Sequence, residues 1–387
     1  MERETLSEVR PSVGLVHDWL TGMRGGEKVL DALCTRFPEA PLWTLMYRTG
    51  SVNARIADRT IHKSLLQYCP FSATKYRSYL PLFPLFAEMN KADAEILIST
   101  SHAVAKAMVK RRRNGKQLHL CYIHTPMRYA WDMFDEYFGP ARVGKFASQF
   151  FYKPLLGLIR QYDQNTVDRV DVFIANSTFV AERVKRIYGR DAEVLPPPVD
   201  VERLSASMRM PEEWYLVVSA LVPYKHVEHA IEACAKMNRP LKLIGTGPEL
   251  TVLRRFAEEK KAHVEFLGFV HDDELATYYQ RARGLLFPGV EDFGIVPVEA
   301  IAAGCPVLAF AKGGILDSMT QETAVFYPEQ TAASLISAMQ EFEGREGQFS
   351  IQALKRRATL FSEGAFLKGF ERIMQSAIAA KGLTGLY

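Results

Sequence analysis

Short runs of apolar, often β-branched residues alternate along most of the chain with stretches whose apolar positions recur every three or four residues. In the first half "SVGLVHDWL", "AEILISTS", "QLHLCYIH", "DVFIANS" and "AEVLPPP" read as strands. In the second half "WYLVVSAL", "LKLIGTG", "VEFLGFV", "GLLFPG", "PVLAFAK" and "AVFYP" do the same. Between them "EKVLDALCTRF", "TFVAERVKRIYG", "HVEHAIEACAKM", "ELTVLRRFAEEKK" and "DELATYYQRA" carry the helical period. Apolar strands separated by amphipathic helices imply parallel sheets covered on both faces. The pattern therefore predicts an α/β protein with two doubly wound, Rossmann-like domains.

The seam is readable as well. "LPPPVDVERLSASMRMPEE", Leu195 to Glu213, carries four prolines and cannot continue either sheet. It divides a domain at 1–197 from a domain at 214–362, with 198–213 expected as a linker. Residues 363–387 read as a terminal helix with no strand after it, placed to cross back onto the first domain.

Composition narrows the class. With 387 residues, 48% of them hydrophobic and 24% charged, the chain is globular and too long for one ordinary core. Its five cysteines lie far apart without a CxxC pair, so neither a disulfide framework nor a structural zinc site is expected. The polar start "MERETLSEVRPS" shows no signal peptide, and no apolar run approaches the ~20 residues of a membrane-spanning helix. A cytoplasmic location is expected. The net charge of +4 is too small to imply nucleic acid. Basic residues do cluster in "KAMVKRRRNGK", Lys106 to Lys116, at the end of an expected helix capped by Asn114 and Gly115. Bulky aromatics lie beside Lys153 and Arg160 in "FASQFFYKPLLGLIRQY". Two readings stay open for these segments: a solvated charged face, and peripheral contact with an anionic membrane.

Ligands of open parallel sheets sit outside the carboxyl ends of the strands, and two such domains facing each other make a cleft. One loop after a strand, within "LLFPGVEDFGIVPVEAIAAGCPVLAF", places Glu291 and Glu299 eight residues apart. Pro297 suits the first turn of a helix, so the amides of Phe293, Gly294, Ile295 and Val296 would be unsatisfied donors at its positive end. That is a cradle for phosphate. Two carboxylates flanking a diphosphate suit a ligand with a sugar at each end, a nucleotide sugar; the plainer alternative makes Glu299 a cap or ion-pair partner on a surface helix. Gly25-Gly26, Gly245 with Gly247, and Gly313-Gly314 each follow a predicted strand. Lys225, after a strand and before a helix, would meet a pyrophosphate as a point charge, or be a surface lysine. His124 follows a buried-looking strand and reads equally as a cleft residue or a core histidine. No Ser-His-Asp order, HExxH, P-loop or DxD pattern is present, so neither a metal nor a cofactor is expected.

The segment from Glu291 to Glu299 resembles the E-x7-E motif of retaining glycosyltransferases with the GT-B fold, family 4. "FLGFVHDDELATYYQRARGLLFPGVEDFGIVPVEAIAAGCPVLAFAKGG" is similar to that family throughout. "VHDWLTGMRGGEKVLDAL", "YIHTPMRYAWDMFDEYF" and "IANSTFVAERVKRIYGRDAEVLPPPVD" resemble its bacterial branch of surface-polysaccharide mannosyltransferases. The resemblance implies a metal-independent transfer of a hexose, mannose from GDP-mannose, to a saccharide or lipid-linked saccharide. Glu299 would bind the ribose, Glu291 the donor sugar's hydroxyls, and the amides from Phe293 to Val296 the diphosphate with Lys225 beside it. Gly25 and Gly26 would form a loop over the donor, His124 would contact the transferred sugar, and the backbone near Val270 would meet the base. One departure stands out: the family's arginine five residues before the lysine is here Ala220. A UDP-sugar donor, an epimerase of the same fold, a non-catalytic nucleotide-sugar binder and a Rossmann oxidoreductase are the competing readings. The last lacks a GxGxxG after the first strand.

Overall fold

The structure, a computed structural model, describes residues 11–112, 116–134, 138–140, 144–206 and 208–383. The polar start up to residue 10 and the expected caps Asn114 and Gly115 lie outside them. The chain forms two units, Met1–Leu195 with Leu367–Tyr387, and Pro196–Phe366.

In the first unit the strands are β1 (Val13–His17), β2 (Leu42–Thr44), β3 (Ile61–Lys63), β4 (Ile96–Ser101), β5 (Leu118–Ile123), β6 (Val172–Ala175) and β7 (Ala192–Val194). They form one parallel sheet in the order β3-β2-β1-β4-β5-β6-β7. β1 pairs Leu15 with Leu42 on one side and with Ile98 on the other. β2 and β3 were not among the expected strands. Each has only three residues.

The second unit repeats the plan with six strands, β8 (Tyr215–Val218), β9 (Leu241–Ile244), β10 (Val264–Gly268), β11 (Leu285–Phe287), β12 (Val307–Phe310) and β13 (Ala324–Tyr327), in the parallel order β10-β9-β8-β11-β12-β13. Both faces are buried, as the uniformly apolar strands require. Leu216, Leu285, Phe287, Val307 and Ala309 point to one layer with Val298, Ala300 and Ile301 of the helix Ile295–Ala302. Tyr215, Val217, Leu286, Leu308 and Phe310 point to the other, against Ile231, Cys234, Leu335 and Met339. In each sheet the winding reverses direction next to the first strand, between β1 and β4 and between β8 and β11. A crevice opens at the carboxyl ends of strands at such a reversal.

Two expectations change. The basic run starting at Lys106 does not end a helix: Ala105–Ala107 is a single 3₁₀ turn. Lys106 is buried, with Nζ 2.7 Å from Asp163 Oδ1 and from the Thr166 hydroxyl. Lys110 and Arg112 pair with Asp93, and Arg111 with Asp171, so acids offset much of the cluster.

Residues 198–213, expected as a linker, are part of the second unit. The prolines stop the strand, but Val199, Val201 and Leu204 then enter the core beside Trp214, and the Val199 N–H donates to Phe361 O at 2.8 Å. Asp200 caps the short helix Val201–Ser205 through the Arg203 N–H.

The terminal helix, Glu363–Ala380, contributes its last part to the first unit. There Phe370 meets the edge of Phe37 at 6.4 Å, Glu371 pairs with Arg36, and Lys381 lies 2.7 Å from Asp171.

Candidate functional site

At the carboxyl end of β11 the chain runs through Pro288, Gly289 and Glu291 to Gly294, which precedes the helix Ile295–Ala302. Gly294 adopts φ +86°, a left-handed conformation that costs an L side chain energy and a glycine almost none. The N–H groups of Phe293, Gly294, Ile295 and Val296 meet no acceptor among the described residues. They are donors at the positive end of a helix, as the position of Pro297 predicts. Phe293 and Gly294 are buried, while Ile295 and Val296 are half-buried.

This loop is fixed from behind. The Gly314 N–H donates to Glu291 O at 2.9 Å, and a β-carbon at Gly314 would stand 2.1 Å from Asp292 O. The Gly313-Gly314 pair is therefore explained by contact with the neighbouring loop, without need of a ligand. Gly245 is likewise engaged within the protein: its N–H donates to Gly268 O at 2.7 Å. Val270 is half-buried against the core, and its main-chain groups make no hydrogen bond among the described residues.

Lys225 ends a 3₁₀ turn, Pro223–Lys225, at the carboxyl side of β8. It is buried, so the surface-lysine alternative fails, and Gly289 packs against its Cα. Its ammonium forms an ion pair with Glu291. Two residues expected to face different parts of a ligand thus neutralise each other here. Glu299 is buried too, and its Oε2 accepts the Tyr279 hydroxyl at 2.9 Å. Burial, then the Glu299 carboxylate beside it, raises the Tyr279 phenol well above its ordinary range, so it stays a neutral donor. Sequence reasoning missed Tyr279. Its signal was the helical period of "DELATYYQRA", which sets Tyr279 four residues after Leu275 on the inward face. Ala220 is exposed.

The first unit gathers a second group at the carboxyl ends of β1 and β4. Asp18 is fully buried and accepts four amides, from His102, Ala103, Val104 and Ala105, at 2.7–2.9 Å. It holds the loop after β4 and also lies 3.1 Å from His102 Nδ1. His17 Nδ1 is 2.6 Å from the Thr100 hydroxyl, while His17 Nε2 is buried without a hydrogen bond. His124 Nε2 is in the same state, and burial holds this ring neutral, down to about 3. Both rings lie beside Gly26, where a β-carbon would meet His124 Nε2 at 3.4 Å and His17 Cε1 at 3.6 Å. Gly25 and Gly26 open the helix Gly25–Arg36, and their N–H groups find no acceptor among the described residues. The buried Glu27 carboxylate accepts the Arg24 N–H at 3.1 Å and lies 3.9 Å from His17 Nε2. Two orphan imidazole nitrogens and two free amides around a position kept open by glycine can receive hydroxyl groups. His17, Asp18, Glu27 and His102 were missed as a group. The run "VHDW" at the end of an apolar strand was the available signal.

No helix among the described residues is long and apolar enough to cross a membrane.

Comparison with known proteins joins the two halves. Residues 23–203 match the model for Glycosyltransferase Family 4, and residues 202–357 match Glycosyl transferases group 1. The chain is 32% identical over 188 residues to the GDP-mannose-dependent alpha-(1-6)-phosphatidylinositol monomannoside mannosyltransferase of Mycobacterium tuberculosis, covering 41% of this chain and 49% of that one. It is 29% identical over 228 residues to the D-inositol 3-phosphate glycosyltransferase of Mycobacterium bovis, covering 52% of this chain and 47% of that one. The chain thus spans about half the length of these curated relatives. Among solved structures, the apo form of the lipopolysaccharide outer core galactosyltransferase WaaB shares the fold with a TM-score of 0.67 at 14% identity, over 94% of this chain and 99% of that one. With two family models that together span residues 23–357, and with that shared double-sheet architecture, the chain belongs to the GT-B glycosyltransferases of family 4.

Proposed function

We propose that the chain is a retaining glycosyltransferase that moves a hexose, mannose carried by GDP, to a saccharide or lipid-linked saccharide acceptor in surface-polysaccharide synthesis. It would act at the cytoplasmic face of a membrane, touching the lipid as a peripheral protein. The observation that carries this reading is the row of unsatisfied amides from Phe293 to Val296, beside buried Lys225 and a Glu299 held by Tyr279. The amides and the ammonium suit a diphosphate. Glu299 offers a carboxylate to ribose hydroxyls, and Val270 offers free main-chain groups to a base. The preference for GDP-mannose is supported by the mannosyltransferase named above, which carries that donor in its description.

In the proposed reaction the bond between the sugar's anomeric carbon and the diphosphate breaks as the acceptor oxygen attacks from the same face. The departing diphosphate takes the acceptor's proton. Lys225 and the amide row meet the charge that grows on the phosphate oxygens, and the diphosphate competes with Glu291 for the ammonium. Glu291, so released, turns to the sugar's hydroxyls. Within the first unit itself, the Gly25-Gly26 amides and the His17 and His124 nitrogens would suit hydroxyl groups.

A thermal-shift series against GDP-, UDP- and ADP-sugars, followed by product analysis, tests the assignment. GDP-mannose is expected to raise the melting temperature most and to yield an α-mannoside. Stabilisation by no nucleotide sugar, or by UDP-sugars alone, would overturn the assignment. A second reading, a binder that does not turn over, is favoured by Ala220. Without the guanidinium expected there, charged hydrogen bonding is weaker by about 1.5–3 kcal/mol. Ala220→Arg is therefore expected to raise donor affinity and turnover by roughly 10-fold or more. Unchanged or lower values would show that the site is complete without it.

A further inference from the structure

The residues immediately after Lys225 carry chemistry that sugar transfer does not use. His226 has φ +50°, a left-handed conformation uncommon outside glycine but found more often in histidine than in most residues. It precedes the helix Val227–Lys236, whose first turn holds Glu228 and His229. The reversed backbone brings the two imidazoles together, stacked at 5.1 Å and 10°. His226 Nδ1 is 3.0 Å from Glu228 Oε1, and His229 Nε2 is 3.9 Å from that same oxygen. One ligand atom from each residue lies within 4.8 Å of the others.

His229 makes the arrangement informative. Neither of its ring nitrogens has a hydrogen bond among the described residues, and Nδ1 is shut off from water. A buried polar nitrogen left unpaired costs about 1–3 kcal/mol, so a surface histidine would ordinarily turn its ring to water. Here the ring stays, stacked on a second imidazole beside a carboxylate.

We propose that His226, Glu228 and His229 bind a divalent transition-metal ion. Two imidazoles and one carboxylate form an N₂O set that suits zinc, nickel or cobalt and leaves a coordination position for water. The ion would take the lone pair of His229 Nε2, the ring nitrogen nearest Glu228, and tie the left-handed turn to the helix. Because His226 is bonded to Lys225, the ion braces the backbone that presents the ammonium. The bracing is structural and needs no part in bond breaking.

The test uses the tag-free, chelator-treated full chain and does not depend on the donor assignment. Calorimetric titration with Zn²⁺, together with Co²⁺ absorption in the visible, is expected to show one ion per chain with nitrogen ligation. His226→Ala, Glu228→Gln and His229→Ala are each expected to weaken binding by at least ~10-fold. His102→Ala and Cys69→Ser, which alter a half-buried histidine of the first unit and the half-exposed thiol, are expected to leave it unchanged. Circular dichroism confirms that each variant is folded. No binding to wild type at millimolar metal overturns the proposal, and so does binding that survives His229→Ala or is lost in His102→Ala.

Discussion

Lys225 sits where a surface lysine would be the ordinary expectation, yet it is buried and its partner is an acid of the same loop system. Lys225→Ala is expected to lower transfer by roughly 10²–10³-fold, the scale of losing one donor to a developing anion, while the melting temperature moves by only a few degrees. Full activity in that variant would remove the lysine from the chemistry. Tyr279 acts at one remove. Tyr279→Phe removes one hydrogen-bond donor from the Glu299 carboxylate, and donor KM is expected to rise about 5–10-fold with kcat unchanged, as for one lost hydrogen bond to a charged group. A fall in kcat at constant KM would argue instead for a role in bond breaking. At this scale legibility was uneven. Glu291, Glu299, Lys225 and the amide row follow from spacing relative to strand ends, which the sequence displays. Asp18 and Tyr279 do not, because their partners lie 84 and 20 positions away and only folding brings them together.

Among elements, the segment from Lys145 to Asn165 separates two readings of one composition. It runs as a short helix, a wider π turn at Ser148–Tyr152, and the helix Lys153–Asn165. Leu156 and Ile159 are buried, whereas Phe146, Phe150, Phe151 and Leu158 are each more than 60% exposed, which leaves an apolar face in water. Arg160 is not part of a basic face there: it lies over the Trp131 ring and donates to Ala130 O. Exposed aromatics of this kind suit insertion at a lipid surface. Phe150→Ser with Phe151→Ser is expected to lower co-sedimentation with anionic vesicles several-fold and to leave the melting temperature intact. Equal vesicle binding would assign the aromatic face to something else. Most elements legible in sequence were long enough to repeat their pattern. β2 and β3 were not read, whereas the equally short β7 and β11 are followed within two residues by a proline that marks their end. The helix expected at Lys106 failed because a buried ammonium replaced the solvated one that the charge run suggested.

At the scale of the whole molecule, both sheets were legible because their central strands are largely apolar. Burial also ties stability to pH. His119 is fully buried: its Nδ1–H donates to Arg169 O at 2.7 Å, leaving Nε2 to accept from Ser99 at 2.8 Å. Burial pushes this ring from 6.5 to about 4, and His124 from 6.5 to about 3. Between about pH 6.5 and 4 the unfolded chain therefore binds protons that the folded chain refuses, so stability falls as the solution is acidified through that window. Above pH 6.5 neither ring contributes to the slope. Urea unfolding at pH 7 and pH 5 is expected to show the loss, with a shallower drop in His119→Gln; an equal drop in both proteins would assign it to other groups.

Because the terminal helix helps to cover the first unit, that unit is assembled from segments on both sides of the second, which is an insertion within it. During synthesis the ring of Phe37 waits for Phe370, more than three hundred residues later, before it is covered. The inserted unit has all of its own strands well before that moment. The inserted unit is thus complete in sequence before the unit that surrounds it along the chain.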